Sequence, residues 1–203
     1  PLGRPFAGFF KRIGLPEVAA MLELAPKGLG HAPKYDGPGT AATKTERRGR
    51  VIMLAGCAQQ VLRPEINDAT IRLLARGGVD VEVANGAGCC GALVQHMGRE
   101  AEAVEFAKRN VDAWSRVIAK GPVDAIIMNA SGCGTSVKDY GHLLRRVEGY
   151  GERAKQIADL TRDITEFLTG FDIGAPRRWS SLRVAYHSAC SMQHGQRITD
   201  EPK

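Results

Sequence analysis

The apolar positions of this chain fall into short runs that are separated by longer amphipathic stretches. The short runs have the continuous or alternating pattern of strands, and the longer stretches repeat their apolar residues at helical spacing. The predicted strands cover residues 51–55, 79–83, 123–128 and 182–186. The predicted helices cover residues 64–76, 98–120, 135–147 and 152–168. This alternation predicts an α/β fold, with a parallel sheet and helices on both of its faces.

The chain before residue 50 has a different composition. A short helix is predicted over 17–24, with Pro16 at its start. Proline and glycine are frequent from 25 to 50, which is typical of a linker. We therefore expect three parts, namely an N-terminal extension and linker (1–49), a main domain (50–170) and the start of a further domain (171–203).

Every cysteine closely follows one of the predicted strands. The cysteines are Cys57, Cys89, Cys90, Cys133 and Cys190. The carboxyl ends of parallel strands emerge at one edge of a sheet, where ligands bind. We therefore expect cysteines that are far apart in the sequence to meet there, on loops at the carboxyl ends of the strands.

The residue types at this edge suit metal chemistry. Thiolates are the soft ligands that select iron–sulfur clusters and zinc. Such a site takes about four of them, which Cys57, Cys89, Cys90 and Cys133 supply. The glycines beside these cysteines let the backbone turn tightly around a ligand. Free cysteines that serve only as small buried apolar side chains are the alternative.

Two other patterns use the same segments. The glycines of 86–91 match the dinucleotide-binding fingerprint after a strand, but about twenty residues on, the nearest acid, Asp112, lies in mid-helix. His187 and His194 flank Cys190, which suggests a Cys–His nucleophile pair. Both stay open as alternatives to a metal site.

The net charge and the number of cysteines limit which partners and which cellular compartment we expect. The net charge is +6, but the basic residues are spread along the chain, so we predict no nucleic-acid partner. No apolar run reaches the roughly 18 residues of a membrane span, and no secretory signal is visible. An odd number of cysteines without such a signal favours a reducing, cytoplasmic location over a disulfide framework. The start at Pro1 and the end soon after Cys190 suggest a fragment cut at both ends.

The cysteine motifs resemble the cysteine-rich CCG domain. Cys57, the Cys89-Cys90-Gly91 triplet and Cys133 stand in its order and spacing. That domain occurs in heterodisulfide reductase, in the lactate-utilisation iron–sulfur protein and in the iron–sulfur subunit of glycolate oxidase. The neighbouring residues look most like the last of these. The similar segments are 56–67, 88–93, 129–135, 137–141 and 186–196.

The resemblance implies a domain order and a function. In that family two ferredoxin-type clusters precede two CCG domains, so 50–170 is expected to be the first CCG domain and 171–203 the start of the second. The complex oxidises glycolate, or another 2-hydroxy acid, at a flavin. The iron–sulfur subunit then passes electrons from FAD-containing partner subunits toward an acceptor such as the membrane quinone pool, from the inner membrane face. The present chain is expected not to bind glycolate itself.

The resemblance also implies a cofactor. It is an iron–sulfur cluster, of 4Fe–4S type in the full-length family, with Cys57, Cys89, Cys90 and Cys133 as ligands and Cys190 as a metal ligand of the second domain. In the heterodisulfide reductase type, five thiolates hold a non-cubane cluster, whereas Ser136 stands here at the position of the last thiol. A four-ligand cluster, a zinc ion and a metal-free domain that docks the flavoprotein all remain open.

Overall fold

The computed structural model describes residues 4–24, 38–43, 45–174 and 181–203. Within them lies one sheet with the strand order β1-β3-β2-β4-β5. The strands are β1 (Gly39–Ala41), β2 (Gly49–Met53), β3 (Val79–Val83), β4 (Ala125–Met128) and β5 (Thr161–Asp163). Only β1 is antiparallel to its neighbour, and the other pairs are parallel. The predicted α/β fold with a mostly parallel sheet is confirmed.

Helices pack on both faces of this sheet. They are α1 (Ala7–Arg12), α2 (Pro16–Leu24), α3 (Cys57–Leu62), α4 (Pro64–Arg76), α5 (Ala92–His96), α6 (Glu100–Ile118), α7 (Ser131–Lys138), α8 (Tyr140–Leu143), α9 (Gly151–Leu160) and α10 (Ile164–Thr169). One face buries Ile52 and Ile126 against α6, α8 and α9. The other face buries Val51 and Ile127 against α4 and α10. The central strands are therefore apolar on both sides, as their sequence pattern predicts.

The long helix predicted over 152–168 is interrupted by a strand. Thr161 and Asp163, both buried, pair with β4, so that β5 extends the sheet between α9 and α10. The Asp163 side chain accepts the Thr165 amide, and Glu166 accepts the Asp163 amide in return. This capping box starts a new helix at Ile164 and explains why the helical pattern does not run through.

The helix predicted over 135–147 begins earlier and is also divided. It starts at Ser131 and breaks after Lys138, and α8 follows at Tyr140. As a result Cys133 lies in the first turn of α7 rather than in the loop before the helix. β4 ends at Met128, three residues before α7 begins at Ser131, and this short connection sets the position of Cys133.

Part of the segment predicted as a linker belongs to the sheet. β1 pairs with β3, with Gly39 opposite Val83 and Ala41 opposite Val81. The Thr43 amide donates to the Asp80 carboxylate at 2.8 Å and holds the chain beside the same strand. The helix predicted over 17–24 is confirmed by α2, whereas residues 25–37, including His31, lie outside the described residues.

The strand predicted over 182–186 is wrong. Residues 181–189 form neither strand nor helix, and the side chains of Leu182 and Val184 are 80% and 84% exposed. In the part of the chain that the structure describes, no strand pairs with this run, so its apolar pattern has no sheet to join. The chain then forms a π-helical turn over Ser191–Gln196, which packs against α7.

The described helices include none with the length and apolar character of a membrane span.

Candidate metal centre

Four thiols meet where β2, β3 and β4 end. Cys57 is the first residue of α3, and Cys133 lies in the first turn of α7. Cys89 and Cys90 lie between β3 and α5. The Sγ atoms of Cys57 and Cys89 are 3.3 Å apart, and those of Cys90 and Cys133 are also 3.3 Å apart. The parallel sheet thus brings together three loops that are distant in the sequence, and their thiols form two contacting pairs.

The thiols line a cavity of about 260 Å³. Much of its remaining wall is apolar and comes from Leu54, Ala58, Ala92, Leu93, Met128 and Ala130. Exposure falls from the rim inward, since Cys57 is exposed, Cys89 and Cys133 are half-buried and Cys90 is buried. A group held here would therefore be reached by solvent mainly from the side of Cys57.

The thiols differ in how readily they ionise. Burial raises the pKa of Cys89 to about 11. The hydrogen bond with Cys133 lowers the pKa of Cys90 to about 7, and the same contact raises the pKa of Cys133. The low pKa of Cys90 places a thiolate in the inner pair near neutral pH, and thiolate is the form that binds soft metals.

Two buried side chains hold the backbone of the Cys89-Cys90 loop. Asn110 of α6 accepts the Gly88 amide at 2.8 Å and donates to the Cys89 carbonyl at 2.9 Å. Tyr140 of α8 donates to the Cys90 carbonyl at 2.8 Å and accepts from Asn110 at 3.0 Å. Backbone groups of three consecutive residues, Gly88, Cys89 and Cys90, are thereby hydrogen-bonded to side chains of α6 and α8. None of these bonds uses a thiol.

A second polar network joins the loops of the other two cysteines. Asn129, at the end of β4, donates to Asn67 at 2.9 Å and to Thr70 at 3.2 Å, both on α4. Asn67 in turn donates to the Ala55 carbonyl at the end of β2. Gln59, two residues after Cys57, donates to Asn129 at 3.4 Å. The network ties the end of β4 to the end of β2 and so fixes the spacing between their cysteine loops.

Two residues singled out in the sequence do not line the cavity. Cys190 is exposed and precedes the C-terminal π-helical turn. Ser136 is half-buried on α7, one turn beyond Cys133. Neither is among the residues around the cavity, whereas His96 is.

The alternatives raised by the sequence have a different geometry. Gly86 and Gly91 both have positive φ, of 88° and 86°. A nucleotide-binding turn would bend in a similar way, so these angles do not separate the two interpretations. The loop leads, however, into the short helix α5, and its two cysteines contact those of neighbouring loops. His187 and His194, beside Cys190, are both exposed.

Sequence reasoning assigned no role to the polar residues beneath the thiols. Asn110 and Tyr140 are 1% and 0% exposed, and Asn67 is 1% exposed. One signal was present, because Asn110 lies on the same helical stripe as the buried Ala103, Ala107 and Trp114. A polar residue in an apolar stripe needs a hydrogen-bond partner, and here the partners are the cysteine loop and Tyr140.

The donor set fits a thiolate-held group. Across the described ranges, no three His, Cys, Asp or Glu side chains already stand as a metal site, and the two short Sγ–Sγ contacts join the thiols in pairs. With a Zn–S distance of about 2.3 Å, two thiolates on a tetrahedral zinc are about 3.8 Å apart, so each pair would have to open by roughly half an ångström. Four soft donors around one cavity suit zinc or an iron–sulfur cluster.

Comparison with known proteins bears on this geometry. The model of the cysteine-rich CCG domain matches residues 51–138, a segment that begins in β2, ends with α7 and contains all four converging thiols. The resemblance noted in the cysteine motifs is therefore confirmed, and the cysteine pairs described above lie within the segment that matches the CCG domain.

The similarity to curated relatives extends beyond residues 51–138. The glycolate oxidase iron–sulfur subunit of Escherichia coli K12 is 40% identical over 152 residues, which are 75% of this chain and 37% of that protein. A probable glycolate oxidase iron–sulfur subunit of Bacillus subtilis is 30% identical over 76% of this chain and 34% of that protein. Lactate utilization protein A of Bacillus licheniformis is 24% identical over 75% of this chain and 62% of that protein.

The chain thus spans about a third of the glycolate oxidase relatives and about three fifths of the lactate utilization relative. No solved structure shows a significant match to it.

Proposed function

We propose that this chain is part of the iron–sulfur subunit of a glycolate or related 2-hydroxy-acid oxidase, and that its CCG domain holds a redox group in the path of the electrons. The observation that carries the proposal is the meeting of Cys57, Cys89, Cys90 and Cys133 around one cavity. The similarity to two glycolate oxidase iron–sulfur subunits supports the choice of complex.

On this proposal Cys57, Cys89, Cys90 and Cys133 are the ligands. An iron–sulfur group in this position would supply one-electron transfer, and zinc would supply structure alone. The chain's own residues hold the thiols in place, keep Cys90 away from water and favour the thiolate on Cys90. Cys190 belongs to a separate site, in the domain proposed to begin at residue 171.

The partners follow from the same proposal. Electrons come from an FAD-containing subunit, where the 2-hydroxy acid is oxidised, and leave toward an acceptor such as the membrane quinone pool. The chain then acts in the cytoplasm, at the inner face of the membrane, as a subunit of an oxidoreductase and without binding the hydroxy acid.

Metal analysis of cysteine variants tests the proposal. The 203-residue chain is purified without oxygen, supplied with ferrous iron and sulfide, and analysed for iron, sulfide and zinc. We expect bound iron and sulfide in the wild type and a loss of most of both in Cys90→Ser, because that substitution removes the most buried ligand. Cys190→Ser is the matched control and should retain the metal.

A folded chain that takes up no iron and no sulfide would contradict the redox role. Zinc alone, bound in the wild type and lost in Cys90→Ser, would make the site structural. Equal loss in Cys90→Ser and Cys190→Ser would show that the four converging thiols are not a separate site.

A docking domain without a redox role is the second candidate. Four large apolar side chains on and beside α3 and α5 are more than half exposed, and both helices begin at cysteine loops. We call Val61, Leu62, Leu93 and Met97 the apolar rim. Such a surface suits contact with another subunit.

The two candidates separate in one experiment on the assembled complex. If the site is redox-active, Cys89→Ser and Cys90→Ser should stop electron transfer to the acceptor while the complex still forms. If the domain only docks, these variants should retain electron transfer, whereas Leu93→Asp in the apolar rim should weaken assembly.

A further inference from the structure

The Cys89-Cys90 loop is held differently from the other two cysteine loops. Asn110 and Tyr140 come from helices α6 and α8 and meet beneath it. Between them they bind the Gly88 amide, the Cys89 carbonyl and the Cys90 carbonyl, at distances of 2.8 to 2.9 Å. We call Asn110 and Tyr140 the loop clamp.

The two residues of the clamp are buried, and their side-chain polar atoms are hydrogen-bonded. Its two residues are 1% and 0% exposed, and the amide of Asn110 donates to the hydroxyl of Tyr140 at 3.0 Å. The Tyr140 ring stacks on Trp114, which is itself completely buried. Burial raises the pKa of Tyr140, so its hydroxyl stays protonated and remains a donor to the Cys90 carbonyl. Buried hydrogen bonds of this kind fix a single arrangement, because breaking one leaves a polar group unpaired.

The clamp determines what faces the sulfurs. Because the Cys90 carbonyl points to the clamp, the Gly91 amide of the same trans peptide points the opposite way, toward the thiols. The Gly91 amide donates to the Cys89 Sγ at 3.4 Å. The turn needs a positive φ at Gly91, where an added Cβ would lie 3.2 Å from the Ala103 carbonyl oxygen. Hydrogen bonds to ligand sulfurs are a recognised means of tuning a thiolate-held redox group.

We propose that Asn110 and Tyr140 are positioning residues that aim the Gly91 amide at the Cys89 sulfur and thereby tune the group that the Cys89 and Cys90 thiols hold. They act through the loop backbone. Their side chains bind backbone groups of Gly88, Cys89 and Cys90 and do not contact the sulfur atoms. The tuning of the bound group rests on the proposed function. The positioning of the loop applies to the metal-free chain as well.

The positioning is tested first without metal, by the rate at which iodoacetamide alkylates each thiol. Tyr140→Phe keeps the ring and its stacking but leaves the Cys90 carbonyl unpaired, so the loop should open more often. We expect the alkylation of Cys89 and Cys90 to become about tenfold faster, which is the scale of one lost buried hydrogen bond. The rates at Cys57 and Cys133 should rise less than those at Cys89 and Cys90, since the clamp binds neither of their loops and reaches these thiols only through the two Sγ–Sγ contacts.

Tyr150→Phe is the matched control. The Tyr150 hydroxyl donates to Asp112 at 3.0 Å, on the outer side of α6, so its removal should leave all four rates unchanged. Asn110→Ser keeps Tyr140 on Trp114 and gives the same readout if Tyr140→Phe does not fold. Unchanged rates at Cys89 and Cys90, or an equal acceleration of all four thiols, would overturn the positioning role.

The tuning is tested on the chain loaded with iron and sulfide, by spectroelectrochemical titration. Loss of the hydrogen bond from the Gly91 amide to sulfur should disfavour the more negative, reduced state. Tyr140→Phe should therefore lower the reduction potential, by about 59 mV for a tenfold change in a one-electron equilibrium. A potential equal to that of Tyr150→Phe would overturn the tuning. A wild type that binds no iron would instead contradict the proposed function, and the alkylation rates would still decide the positioning.

Discussion

The loops at Cys57 and Cys190 have the same sequence pattern and different structures. Each follows a short apolar run, at 51–55 and at 182–186, and both runs are predicted strands. The first run contains most of β2 and is completed by β3 on one side and β4 on the other. The second has exposed side chains and no regular structure.

The difference shows that an apolar run becomes a strand only where neighbouring strands accept its hydrogen bonds. β2 has such neighbours on both sides, so Cys57, which follows it, lies at the edge of the sheet where β3 and β4 also end. Residues 182–186 have none within the described chain, and the segment after them is instead held against α7. Thr135 donates to the Ser191 carbonyl at 2.9 Å, and Gln196 donates to the Ser131 carbonyl, also at 2.9 Å.

The largest contrast is expected between truncations in the two runs that precede Cys133 and Cys190. Ile126 of β4 is completely buried, so Ile126→Ala should lower the free energy of unfolding by about 2–5 kcal/mol. Val184→Ala removes a side chain that is 84% exposed and should change it by less than about 0.5 kcal/mol. Urea unfolding followed by the fluorescence of buried Trp114 measures both. A similar loss in the two variants would mean that residues 182–186 are buried against the sheet.

The next effect concerns the turn that carries Cys89 and Cys90. Gly91 has φ of 86°, and a Cβ there would lie 3.3 Å from the Phe106 Cβ. Gly91→Ala should therefore cost about 1–3 kcal/mol of stability. Gly88→Ala is the control, because its Cβ would meet no described atom within 4 Å. Equal melting temperatures for the two variants would show that the turn relaxes without strain.

A somewhat smaller effect is expected in the network between the Cys57 and Cys133 loops. Asn129→Ala removes the bonds to Asn67 and Thr70 and should cost about 1–2 kcal/mol. It should also separate the two loops, so that Cys133 reacts faster with iodoacetamide while Cys89 does not. The exposed Asn85→Ala is the control for the loss of an amide. Unchanged reactivity at Cys133 would mean that β4 alone positions this thiol.

The smallest effect should be confined to the C-terminal segment. Thr135→Val removes the bond to the Ser191 carbonyl, so the amide of Ile198 should exchange with solvent about tenfold faster, while the sheet amides keep their rates. Thr169→Val is the matched control, since the Thr169 hydroxyl donates to the Thr165 carbonyl within α10. Faster exchange throughout β2 and β4 would show that the segment stabilises the whole domain, and the two regions would then not be independent.

The helix predicted over 152–168 shows why some elements escaped prediction. Its apolar spacing is helical on both sides of Thr161. Residues Thr161–Asp163 nevertheless pair with the outer edge of β4 and form β5. The Asp163–Glu166 capping box was a local signal for the break. Nothing local indicated the pairing itself, because it depends on a strand that lies far earlier in the chain.

The sequence by itself determined the strand-and-helix alternation, the buried central strands and the placement of Cys57, Cys89, Cys90 and Cys133 at strand ends. These features depend on local periodicity and on the rule that parallel strands share one carboxyl edge. Only the tertiary structure decided that Cys57 contacts Cys89 and that Cys90 contacts Cys133, because those contacts follow from the strand order. It likewise decided that Asn110 and Tyr140 meet beneath the loop, since two helices distant in the sequence must pack on one face before their side chains can bond.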